Sequence, residues 1–495
     1  MYTIAEIPEH LRRSYTQVCG IWCDDIKPVM NTYFLPFCKK LKKYYNDGVI
    51  CENEYGKKIK VKIISPLWIA DAPARATIIN FQNHNSSIPC KTCETTGEQY
   101  QVIKKNKKTR KKRYLPVTEA KKRTHEGILQ DALEAIRIRE PVKGVKGLSY
   151  ICVLPLLDLS TCLVPELMHS LFLGVVKMFM VAWFTSNDDW SLKKHILEIN
   201  EIVNNIQVTP DTKRLPRKVD DCEKFKASEF YDWLLTYLIP VLGQFMKSQY
   251  LEHFILLISA MEILLSNKIL KTELLQAEIM LKKFVRDVQK LYSFKFLTYN
   301  LHQLLHFCLY TSRWGPLGSL TAFPFEDFNG LLVSITHGTK NIGQEIINSY
   351  QVQQSFNVLK EKRVKLIEKN IINNDQNSKV VGKSIKCTEK IFDILKSAGI
   401  NDIQNVKCYD RAIINNQDCI STLSKKIKKN SSTFFLILEN EEKVYGTALF
   451  YFVYKNSTYI CLDILENIFK VKKIATKIFN TEFIKKIKSI ININD

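Results

Sequence analysis

Between about residues 150 and 310 apolar side chains recur at helical spacing and no strand signal clearly intervenes. The stretches VPELMHSLFLGVVKMFMVAWF, SEFYDWLLTYLIPVLGQFM and KTELLQAEIMLKKFVRDVQKLY carry the pattern. A helical block of that length constrains everything around it: a layer begun before it must either end there or resume beyond it. The chain has 495 residues, too many for one compact core, and 46% are hydrophobic, enough to bury two or three domains.

The flanks read differently. PVMNTYFLPFCKKLKKYYNDG has the spacing of an amphipathic helix closed by Asn46, Asp47 and Gly48. In KKIKVKII, Ile59, Val61 and Ile63 alternate with Lys58, Lys60 and Lys62, which predicts a strand with one buried and one solvated face leading toward Asp71. Helix, strand and then DAPAR suggest part of an α/β layer, with Asp71 suited to capping a helix whose first turn holds Pro73. Beyond the polar stretch NNDQNSK, the segments STFFLILE, KVYGTALFYFVY and STYICLDIL predict a small β-rich module. No fixed-period repeat is visible.

Lysine and arginine outnumber aspartate and glutamate by 72 to 50, a net charge of +22, which suggests a polyanionic partner such as nucleic acid. A lysine- and asparagine-rich coding bias would also produce a basic chain. Within KKNKKTRKKR, Lys104, Lys105, Lys107, Lys108, Arg110, Lys111, Lys112 and Arg113 form a dense block, followed by Lys121, Lys122 and Arg123. Such a block reads as a solvated loop, a phosphate-contacting arm or a nuclear localisation signal. The start has no apolar leader segment, and the most apolar runs are interrupted by Lys177 or Glu262, so no membrane span is expected. The 14 cysteines follow no disulfide framework, which points to reduced thiols in the nucleus or cytosol.

Only Cys90 and Cys93 have ligand spacing, although Cys19 and Cys23 come close. Far downstream, in YNLHQLLHF, His302 and His306 stand four apart on an expected helix, with both imidazoles on one face. Together the four make a tetrahedral zinc set if the fold brings them together; otherwise they are small core cysteines and two histidines packing among leucines. Glu326 follows in FPFEDFNGLL, where it could equally be a surface acid beside Asp327.

In order along the chain, IPEHLRRSYTQVCGIWCDDIKPVMNTYFLPF, WIADAPARATIINFQNHNSSIPCKTC, LSTCLVPELMHSLFLGVVKMF, HQLLHF and WGPLGSLTAFPFEDFNGLLVSITHGT resemble the CACTA (En/Spm)-type DDE transposases. These are relatives of the catalytic subunit of the vertebrate antigen-receptor recombinase. The resemblance covers roughly residues 5–345. It implies an α/β fold: a partial ribonuclease H-like core interrupted by a large all-α insertion, plus the small β-rich C-terminal module. The corresponding divisions are 1–100 for the first part of the core, 101–148 for a basic linker or loop and 149–300 for the insertion. Residues 301–372 then complete the core, and 373–495 hold a linker and the β-rich module.

Carried over residue by residue, the resemblance makes Asp71 and Glu326 the second and third acids of the DDE site. Cys90, Cys93, His302 and His306 become ligands of a structural Zn2+ that pins the ends of the insertion and holds both acids in register. Mg2+ would be the catalytic cofactor, since carboxylates suit hard cations and thiolates suit zinc. The family's first aspartate lies upstream of the matched segment, and Asp24 and Asp25 in IWCDDIKP read as caps or surface acids instead. The expectation is therefore a nuclear, transposase-derived DNA-binding protein without a small-molecule substrate, inactive in phosphodiester transfer or retained as a zinc-stabilised scaffold. Homo-oligomerisation stays open. His169 in ELMHSLFLGV reads as a packed histidine, while His337 and Lys340 could approach phosphates or simply finish the Glu326 helix.

Overall fold

The computed structural model describes residues 1–7, 12, 15–53, 55–104, 107–114, 120–206, 214–336, 338, 341–370, 378–381, 384–397, 400, 406–414, 417–421, 434–439, 442–454, 457–465 and 486–492. Two compact units emerge: Met1–Ile199 with Val219–Val358, and Asn200–Lys218 with Leu359–Asp495.

The first unit is mixed helix and strand. Its helix Met30–Asp47 forms where the spacing predicts and stops at Gly48, whose φ of 72° suits a residue without a β-carbon. Phe34 and Phe37 meet Trp68 edge-on, with ring centroids 5.2 and 6.0 Å apart, so the helix lies against the strand Trp68–Ala70. That strand, and not the lysine-alternating one, leads into Asp71. Lys58–Val61 instead pairs antiparallel with Val49–Glu52. All four of its residues are exposed, so the expected buried face is not buried within this chain. Alternation reveals which residues share a face but not what covers it.

Trp68–Ala70 pairs parallel with Leu163–Pro165, Ala70 opposite Pro165. This second strand lies inside the region that reads as wholly helical. Its three residues are all buried, and a run so short and apolar carries no alternation to betray it. Around the pair, Phe81, Ile128, Ala132, Val145, Ile151 and Leu163 form one apolar cluster. Ile128, Ala132 and Ala135 belong to a helix, His125–Ile138, that the linker reading overlooked; Thr124 caps it by accepting the Gly127 N–H at 3.0 Å. The described strands thus give a parallel pair and two separate hairpins, a mixed α/β arrangement with no larger sheet among the described residues of this unit.

The helical insertion is built largely from the segments Met168–Thr185, Ala227–Leu242, Ser248–Leu265 and Lys271–Leu291. Its centre is aromatic: Phe179 meets Phe254 at 5.0 Å and Tyr292 at 4.7 Å, and Trp183 meets Phe254 at 4.5 Å. Met168–Thr185 and Ser248–Leu265 are long and apolar enough to cross a membrane by length and composition, and half of each is buried among these partners. Gly174 allows a close approach here, since a β-carbon would come within 2.4 Å of Asn300 Nδ2.

The basic segment, read as a linker or loop, runs as an antiparallel hairpin of Gly97–Lys104 and Lys107–Tyr114. The second unit carries the expected β-rich tail, with Phe434–Glu439, Glu442–Tyr454 and Ser457–Leu465 adjacent in one sheet. The amphipathic helix Glu389–Ser397 packs Ile391, Ile394 and Leu395 against Phe450 and Phe452 of that sheet.

Candidate functional site

The cysteines and histidines that stand 209 residues or more apart in the chain meet. Cys93 Sγ lies 3.3 Å from His302 Nε2, Cys90 Sγ 3.3 Å from His306 Nε2, and the two Nε2 atoms are 3.2 Å apart. All four ligand atoms fall within 4.8 Å of one another, and all four residues are buried. A tetrahedron with zinc–nitrogen bonds of about 2.05 Å and zinc–sulfur bonds of about 2.3 Å has edges of roughly 3.3–3.8 Å. The side chains already stand near those spacings, so they fit a zinc-sized ion with little rearrangement.

Local sequence explains the presentation. Thr298 accepts the Leu301 N–H and starts the helix Tyr299–Gln303, a tightened 3₁₀ turn at Leu304–His306 follows, and the chain resumes as the helix Phe307–Trp314. The turn keeps both imidazoles on the inner side, their ring centroids 4.9 Å apart. Thr92 and Tyr310 hydroxyls meet at 3.0 Å and fasten the cysteine loop to the same helical run.

Burial alone would raise the Cys90 thiol, but the hydrogen bond from Cys93 and the imidazoles of His306 and His302 draw it well below the usual range. Cys93, which donates to that thiolate and is also buried, is held up instead. Zinc takes both sulfurs as thiolates, so metal entry would release the proton that Cys93 shares with Cys90. Lys91, between the cysteines, is pushed down to about 7 by burial and by Arg75, and donates to Pro89 O at 2.9 Å.

A second cluster lies at the ends of the parallel strands. Because Ala70 pairs with Pro165, the next residues, Asp71 and Glu166, emerge together at the carboxyl ends, where α/β folds place ligand sites. Asp71 caps Ala72–Ile78 through its Oδ1, which accepts the Ala74 N–H at 2.8 Å. Glu166 is 2% exposed. Its Oε2 accepts Met168 N–H at 2.9 Å and Ala322 N–H at 3.2 Å, while Oε1 accepts His169 N–H at 2.7 Å and faces His169 Nδ1 at 2.5 Å. Ala322 is the cap position of Phe323–Ser334, the helix bearing exposed Glu326 in its first turn. One buried carboxylate thus ties the start of the Glu326 helix to the strand end beside Asp71.

The hydrogen bond to Glu166 raises the His169 imidazole, with burial opposing and Asp71 and Glu326 adding to the rise. The imidazole therefore lies within electrostatic reach of both predicted acids. Glu166 was absent from the sequence expectation, and His169 was read as mere packing. The Glu-x-x-His spacing was the available signal, but it acquires meaning only once a parallel neighbour at Ala70 is known.

The two clusters are joined. Arg75, on the Asp71 helix, donates to Gln303 Oε1 at 3.2 Å, and Gln303 Nε2 lies 3.7 Å from Cys90 Sγ. Asp24 and Asp25 lie apart from any helix start: the first helix begins at Met30 with Val29 as its cap, and Asp24 Oδ1 accepts the Ile26 N–H in an exposed turn. Lys104, Lys107, Lys108, Arg110, Lys111, Lys112 and Arg113 fall on the hairpin strands, while Lys105, His337 and Lys340 lie outside the described residues. No protein-family model matches the chain, and no curated protein matches it.

Proposed function

We propose that this chain is a transposase-derived DNA-binding protein resembling DDE transposases, with Asp71 and Glu326 as remnants of a phosphodiester-transfer site on a partial ribonuclease H-like core. The observation that supports the reading is the linkage just described. Asp71 and Glu326 begin helices anchored through Glu166 on one side and through Arg75, Gln303 and the thiolate–imidazole set on the other.

Asp71 Oδ1 is engaged by Ala74, and its other oxygen takes no hydrogen bond among the described residues, which leaves it open to a cation. Asp71 and Glu326 suit Mg2+, which takes one or two carboxylates and completes its shell with water and substrate phosphates. When bound, such an ion would supply charge stabilisation for attack on a phosphodiester. His169, whose Nδ1 faces Glu166 Oε1, adds an imidazole to the same cluster.

A specific observation favours the non-catalytic alternative, a zinc-stabilised DNA-binding scaffold. Glu166, the acid nearest to replacing a third carboxylate, has both oxygens committed to hydrogen bonds. The purified 495-residue chain is expected to bind duplex DNA in a salt-dependent way and to leave it uncut in Mg2+. Absence of any DNA binding sinks the proposal. Strand cleavage lost again in Asp71→Asn and Glu326→Gln would instead establish an active enzyme.

A further inference from the structure

The hairpin Gly97–Lys104/Lys107–Tyr114 concentrates charge in a way that works against its own folding. Lys104 and Lys107 stand directly opposite in the ladder, where like charges destabilise, and Glu98 is the sole acid in the segment. A two-stranded ribbon that carries seven basic residues against one acid suits a groove walled by phosphate. The major groove of B-form DNA admits such a ribbon, while the deep, narrow major groove of an RNA duplex does not.

The base of this hairpin is the cysteine loop itself. Cys93 bridges to Lys122, Glu94 N–H donates to Lys121 O at 2.9 Å, and Arg123 N–H donates to Thr92 O at 3.0 Å. Below them the buried Arg123 guanidinium donates through Nε to Cys90 O at 3.0 Å and Cys93 O at 3.2 Å, and through Nη2 to Lys143 O at 2.7 Å. The first strand therefore continues directly from the ligand loop, and Lys121–Arg123, beyond the second strand, are bonded to that loop. Gly97 N–H adds a bond to Ser87 O at 2.7 Å.

We infer that the hairpin is a β-ribbon arm for the major groove of double-stranded DNA, and that the thiolate–imidazole centre, through Arg123, is the clamp that pre-orders it. This rests on the DNA-binding reading above. The two roles leave different signatures. Charge on the arm sets how many counterions are released, hence the slope of affinity against salt. The clamp sets only the ordering cost met on binding, hence affinity at constant slope.

The test uses the full zinc-loaded chain with duplex DNA, duplex RNA and a salt titration read by fluorescence anisotropy. Replacing Lys107, Lys108, Arg110, Lys111, Lys112 and Arg113 with glutamine should weaken DNA binding and lower the salt slope by up to about 5, roughly 0.9 for each cation that meets a phosphate. Arg123→Gln, with zinc still bound, should weaken binding on the order of tenfold at unchanged slope, and should add nothing in the glutamine-arm background.

If the intact chain binds no DNA, the function proposed above fails and this inference with it. If it binds but the glutamine arm changes nothing, or RNA binds as tightly, the arm is not a DNA ribbon and the broader reading stands. If the arm matters while Arg123→Gln and zinc chelation both leave affinity unchanged, the clamp is refuted. Should Arg123→Gln fold poorly, hydrogen exchange on the unaltered chain decides. Chelation that raises exchange in 97–114 earlier and further than in the helix Ser248–Leu265 supports the clamp, and an equal rise in both, or none in 97–114, overturns it.

Discussion

The thiolate–imidazole set and the acid cluster are built from neighbouring elements, yet they differ in what their side chains leave unmet. In the first, four buried ligand atoms converge at spacings suited to one ion, and the surrounding hydrogen bonds run to the ligand loop's backbone. In the second, the most buried acid, Glu166, is satisfied by the protein itself, whereas Asp71 is half-satisfied by a helix N-terminus and Glu326 is exposed. Convergent buried ligand atoms suit a single ion held within the fold. Partial satisfaction leaves acids held in place and open enough to meet something from outside.

The contrast is broken most severely by removing metal. Cys93→Ala or His306→Ala should drop zinc from one per chain to near none by elemental analysis and destabilise the first unit by about 5 kcal/mol or more, since structural zinc contributes directly to folding. Full zinc retention in both variants would show that the centre is only a packed cluster. Next in size, Glu166→Ala removes an acceptor serving three backbone N–H groups and one imidazole, and should cost about 3 kcal/mol in denaturant unfolding while leaving zinc content unchanged.

Asp71→Asn sharpens the difference, because asparagine caps helices about as well as aspartate. Stability should move by less than about 0.5 kcal/mol. Binding of Mn2+ as a paramagnetic probe at His169 should nevertheless fall at least tenfold, and a variant that broadens His169 as strongly as the parent would remove Asp71 from the cation site.

The smallest effect is in pH. His169 has its pKa raised in the folded chain, so its ion pair with Glu166 contributes stability that is fully present below the unfolded value of 6.5 and is lost as pH rises through the folded midpoint. An NMR titration should place that midpoint above 6.5, and Glu166→Gln should bring it down.

How much of this was legible in the chain depended on whether the signal was local. The helix Met30–Asp47, the helical insertion and the tail strands all declare themselves by spacing within a few turns. The four ligands were legible as types and spacings, but their convergence is a property of the fold. Leu163–Pro165 was hidden because three buried residues have no period, and with it went the adjacency of Asp71 and Glu166. The hairpin was masked by its composition, since lysine disfavours strands and its partner strand Gly97–Lys104 is largely polar. The helix His125–Ile138, by contrast, carried a cap and a regular apolar stripe that the charge block beside it obscured.

Cys93 and His302 are separated by 209 residues, and a ribosome adding roughly 5–20 residues per second needs about 10–40 s to cross that gap. For that interval the nascent cysteine pair is exposed to oxidants and to whatever soft metal is at hand, with neither imidazole yet made. If the four residues hold a metal, synthesis of this protein then depends on the reducing capacity and metal supply of the compartment where it is translated, and a slow codon run between the two halves of the clip would lengthen the vulnerable period without changing one amino acid.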